Sequence, residues 1–120
     1  MARYVDGFVI PVPRKKLEQY RQIARTASKV WREHGALEYR ECIGEDLDVP
    51  FGVPFPKLAR VKPGEMVVFA WIVYKSRAHR ARVNKKVMKD PRLASMMDPK
   101  AMPFDMKRMS MGGFDVIVDA

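Results

Sequence analysis

One cysteine, Cys42, stands among 120 residues, which excludes an intramolecular disulfide framework and leaves no CxxC pair to hold zinc. No apolar run approaches the roughly 18 residues that a membrane-spanning helix needs. The opening MARYVDGFVIPVP is interrupted too soon for a signal peptide, so a reducing, cytoplasmic setting is expected. There is no phosphate-cradling glycine loop and no dinucleotide fingerprint, and no cofactor is expected. Glu45, Asp46 and Asp48 lack the spacing and the glycine of a calcium loop, so no metal site is expected. Repeats and low-complexity tracts are absent, and the length fits one domain over residues 1–120.

Cations, by contrast, are plentiful. The formal charge is +9, and two stretches carry it. Residues 75–92 hold eight Lys or Arg against Asp90, and residues 14–33 hold seven against Glu18 and Glu33. Such a field attracts acidic metabolites, acidic proteins or nucleic acid. Without an RNA-binding aromatic motif, nucleic acid is the least favoured of these. The plainer reading is two solvated helix faces.

Periodicity sets the element order. Residues 3–11, RYVDGFVIP, read as a strand closed by Pro11 and Pro13. Leu17, Tyr20, Ala24, Ala27, Val30, Trp31 and His34 then recur at helical spacing until Gly35, a C-terminal cap. Residues 36–43 alternate as a strand with one wetter face, and 44–63 form a loop rich in Gly and Pro. EMVVFAWIVY, 65–74, is the third strand. Ser76 caps a second helix that Pro91 ends, a short turn follows near 92–97, and RMSMGGFDVIVD is the last strand. The order βαββαβ with right-handed crossovers gives an α+β ferredoxin-like sandwich, a four-stranded antiparallel sheet with two helices on one face.

EMVVFAWIVY is apolar on both sides. Met66, Val68, Ala70, Ile72 and Tyr74 point one way, while Val67, Phe69, Trp71 and Val73 point the other. Two helices cover only one of these faces, and monomers rarely leave such a second face in water. The expectation is a two-fold homodimer through Val67, Phe69 and Trp71. A monomer whose own 44–63 loop folds over the face is the alternative.

YVDGF at 4–8, VP at 12–13, EC at 41–42, VVFAWI at 67–72, NKKVMKDPR at 84–92, MPFDMKRM at 102–109 and GGF at 112–114 resemble the YbaA-like family of small bacterial proteins. That resemblance runs from end to end. It implies a dimeric α+β barrel built sheet to sheet, and it implies no particular reaction. Ala81 stands where the resemblance leads one to expect an acid.

Five polar residues are candidates for a ligand site. Arg80 and Asn84 lie along the edge of the second helix's inward stripe, where an arginine can hold a carboxylate bidentately; a structural pair between Arg80 and Asp6 or Asp105 competes with that reading. Arg108 joins them as a ligand-binding candidate. Asp105 is a candidate proton carrier or a turn cap, and His34 a proton carrier or a helix-terminus cation. Nothing places a base beside the Cys42 sulfur. The function expected is binding or converting a small acidic or aromatic metabolite without a cofactor; the alternative is a non-catalytic module whose basic helices contact an acidic partner.

Overall fold

The structure, a computed structural model, describes residues 2–120. Its elements are β1 (Tyr4–Pro13), α1 (Leu17–Glu33), β2 (Glu38–Ile43), α2 (Phe55–Leu58), β3 (Glu65–Tyr74), α3 (Arg77–Met88), α4 (Pro91–Met96) and β4 (Ser110–Asp115). The strands form one antiparallel sheet in the order β2-β3-β1-β4. The expected ferredoxin-like arrangement is the observed one, with β1 and β3 central and the more polar β2 at an edge.

Local chemistry explains the boundaries. The α1 stripe buries Tyr20, Ala24, Ala27 and Val30, and the chain leaves the helix through Gly35 at φ +118°, a conformation that costs a side chain dearly. Ser76 caps α3 by accepting the His79 N–H at 3.1 Å. Asp90 caps α4 in the same way, and Pro91 follows at the first helical position, where its missing N–H is harmless.

Three expectations need correction. β1 does not stop at Pro11; it continues to Pro13. The β4 ladder ends at Val9, so the prolines lie where, among the described residues, β1 has β3 alone beside it, and a missing N–H is tolerated there. The last strand is shorter than its apolar tail implied: a 3-10 turn occupies Met106–Arg108, and Ile117 and Val118 lie exposed beyond β4. The 44–63 loop also holds the α2 turn, which packs on β3.

The core lies between the sheet and the helices. Val12, Val30, Tyr74, Val83 and Val87 have essentially no exposure. Fully burying an aliphatic side chain of this kind stabilises by roughly 1.5–3 kcal/mol.

Candidate functional site

Arg80 and Asn84 belong to one polar cluster in the core. Asp6, only 3% exposed, receives Arg80 bidentately, from Nε at 3.0 Å and from an Nη at 2.7 Å. The guanidinium also lies over the Tyr4 ring, 5.4 Å from its centroid. Asn84 Oδ1 accepts from Trp31 Nε1 at 3.2 Å and from the Tyr74 hydroxyl at 3.4 Å. Burial, with the Asp6 charge second, pushes the Tyr74 hydroxyl well above the ordinary phenol range. The bidentate edge of Arg80 is therefore already occupied by Asp6.

The other candidates sit elsewhere. His34 Nε2 lies 2.9 Å from Asp90, which also receives Arg92. Those bonds, Arg92's first and His34's second, hold the Asp90 carboxyl far below the usual range. Asp105 accepts the Lys107 N–H at 3.0 Å and so caps its own turn. Arg108 grips Glu65 through two nitrogens, at 2.6 and 2.8 Å, and lowers the glutamate pKa to about 2. Glu65 starts β3, whereas Asp6 pairs with Ile72 near its other end, so roughly 20 Å separate Arg108 from Arg80. None of these five residues lines either of two hollows in the surface, one beside α1 and one on the sheet.

The first hollow, of about 290 Å³, opens between α1 and the edge strand β2. Leu17, Ala24, Ile43 and Val68 supply its apolar wall, while Arg21, Arg25, Ser28 and Glu41 supply polar atoms. Both Glu41 oxygens are engaged: Oε1 accepts from the Tyr20 hydroxyl at 2.6 Å and Oε2 from the Tyr39 hydroxyl at 2.7 Å. Burial, then the Glu41 charge, raises both phenols far above their ordinary value, so they remain donors. This trio was missed in the sequence. Its signal was present, because Leu37, Tyr39, Glu41 and Ile43 share one side of a strand. A buried tyrosine such as Tyr20 also calls for a hydroxyl partner.

The second hollow, about 450 Å³, lies on the sheet face that the helices leave bare. One row across that face reads Arg40, Trp71, Gly7, Gly112, and the next reads Cys42, Phe69, Val9, Ser110. The Gly7–Gly112 pair leaves a trough roofed at one side by Phe114, whose ring carbon would lie 3.4 Å from a Cβ at Gly7. Phe69 is 43% and Phe114 61% exposed. Val67, expected on the open surface, is instead 4% exposed, at the end of β3 where α2 packs. Phe55 of α2 covers one side of Phe69, with ring centroids 6.1 Å apart. The loop thus covers the Val67 end of the face; Val73 at the far end of β3 is 7% exposed, and the open part is the stretch around Phe69 and Phe114.

Sheet order, a helical layer on one side and a bare apolar face on the other define a ferredoxin-like α+β protein. The family model described as a protein of unknown function, DUF1428, matches residues 3–106, and the chain belongs to that family. The uncharacterised protein YbaA of Escherichia coli K12 is 41% identical over 117 residues, covering 98% of both chains, and YbaA of Shigella flexneri is equally similar. The resemblance carried by the motifs is thereby confirmed. In fold, the chain is similar to an uncharacterised NIPSNAP domain protein from Burkholderia xenovorans (TM-score 0.59, 15% identity, 98% of this chain and 94% of that one). It is also similar to a dimeric ferredoxin-like protein from an uncultured marine organism (TM-score 0.60, 11% identity, all of both chains). At these identities the likeness concerns the fold. No helix among the described residues is long and apolar enough to cross a membrane, and no group of His, Cys, Asp and Glu among them has a metal-binding arrangement.

Proposed function

We propose that this protein is a homodimer of the cytoplasm, pressed sheet to sheet, that binds a small acidic metabolite in the cleft of each copy. The observation that carries the reading is the bare face bearing Phe69, Trp71 and Phe114 around the glycine trough. Strands about 4.8 Å apart and six to ten residues long make a face of roughly 500 Å² before side-chain relief is counted. Relief brings that towards the roughly 800 Å² per partner of a stable interface. One structural relative is itself described as dimeric. The exposed, unpaired Cys42 suits a reducing compartment.

Dimerisation through this face leaves both helical layers, and the α1–β2 clefts with their Arg21 and Arg25, turned outward. The test is sedimentation of Phe69→Glu beside the wild type. The variant should sediment as a folded monomer; an unchanged dimer would refute the face, and a monomeric wild type would refute the assembly.

A second reading has one observation in its favour: α3 carries no acidic residue, so its cations project from the helical layer largely unmatched. An acidic partner held there would be released steeply by salt, whereas a ligand in the cleft would be far less sensitive.

A further inference from the structure

We infer that the cleft between α1 and β2 is built for a small zwitterion, an amino-acid-like molecule whose ammonium group meets Glu41 and whose carboxylate meets Arg25. The inference rests on the ligand-binding part of the proposed function and is independent of dimerisation.

Glu41 sets the requirement. Two short phenolic bonds, one to each oxygen, are the arrangement of an ionised carboxylate. Yet among the described residues no basic side chain lies within 4.0 Å of it, whereas the largely buried carboxylates of Asp6, Glu65 and Asp90 each have one. Phenols supply hydrogen bonds but no countercharge. A carboxylate accepts about four hydrogen bonds, and the tyrosines use two. A half-buried anion with spare acceptor capacity on the wall of a cavity is suited to meet a cation.

The surroundings exclude a plain amine. Arg21 and Arg25 line the same cleft, and Arg25 has no acidic partner among the described residues. Together with a formal charge of +9, they repel a free cation and attract an anion. Among the described residues β2 pairs only with β3, so its outer edge offers free backbone N–H groups. Only a molecule carrying both charges satisfies both ends. The volume, about 290 Å³, holds roughly ten water-sized groups, which suits a single amino acid.

Calorimetric titration of the full chain with the standard amino acids and β-alanine tests this. The tightest binder is then compared with its deaminated acid and its decarboxylated amine, and titrated into Glu41→Gln and Arg25→Ala. At least one amino acid should bind at millimolar or lower concentration. Each one-charge analogue, and each variant, should bind about tenfold or more weakly, the scale of a lost charge-assisted hydrogen bond. Arg25 is exposed, so its variant should keep the wild-type melting temperature, which separates lost binding from lost folding. A deaminated acid that binds as well as its amino acid overturns the zwitterion and leaves the acidic-ligand reading standing. Unchanged affinity in both variants overturns the site. If neither the amino acids nor their acids bind at 10 mM, both readings fall.

Discussion

Replacing Arg80 by methionine isolates the energetics of the buried pair near the start of β1. The side chain of Asp6 is 4% exposed and that of Arg80 26%. Methionine keeps most of the aliphatic stem but strands the Asp6 carboxylate without a countercharge. Breaking a buried ion pair in this way costs about 3–5 kcal/mol. Because Arg80 is a quarter exposed, water reaches the vacated edge, and the lower end of that range applies. Unfolding entropy of about 2.1 cal/mol/K per residue amounts to about 0.25 kcal/mol/K over 120 residues, so a loss of 3 kcal/mol lowers the melting temperature by about 12 °C. The assay is urea unfolding followed by circular dichroism at one fixed protein concentration, since an associating protein's stability depends on it. Asp6→Asn combined with Arg80→Met should recover at least half of the loss, because a neutral buried amide costs far less than a lone charge. A loss below about 1 kcal/mol in Arg80→Met alone, or no recovery in the pair, would refute the reasoning and return Arg80 to the list of free ligand-binding groups.

Other outcomes follow from single contacts. Arg108 holds the Glu65 pKa near 2, below the ordinary glutamate value, so the pair's contribution is whole above that ordinary value and is lost as pH falls towards 2; the stability difference between wild type and Glu65→Gln should shrink from pH 6 to pH 2.5, and a constant difference in urea midpoints would contradict this. Gly113→Ala drives a methyl group to 2.7 Å from the Tyr4 ring and should cost about 1–3 kcal/mol. Gly112→Ala meets only Phe114 at 3.9 Å, so it should spare folding and weaken the dimer, as chemical denaturation and sedimentation would each show. Ser76→Ala removes the acceptor of the His79 N–H and should cost about 1 kcal/mol, or about 4 °C in a thermal melt; no shift would mean that the cap is redundant.

Much of the fold was legible because two periodicities are nearly uninterrupted. The α1 stripe and the double-sided β3 each dictate an element and the side on which it packs. Pro11 and Pro13 misled at the end of β1, since a strand's tolerance of proline depends on whether a neighbour lies alongside, and pairing partners are not local information. Val67 misled for a related reason: alternation gives the face of the sheet but not the α2 turn that comes back over it. The site was harder. Arg80 drew attention as a cation at the edge of an apolar stripe, and the same placement suits the structural partner it has in Asp6. Glu41 was passed over because an acid on an edge strand reads as solvent-facing. Only its pairing with tyrosines from β2 and α1 shows that it faces inward, and the Tyr20 contact spans 21 residues of sequence.

Static light scattering of the wild-type protein, diluted from 100 to 1 μM, bears most directly on the bare sheet face. The expected mass is twice 13.9 kDa throughout, with Trp71 shielded from a soluble quencher. A folded species of 13.9 kDa across that range, with Trp71 quenched freely, would contradict the account.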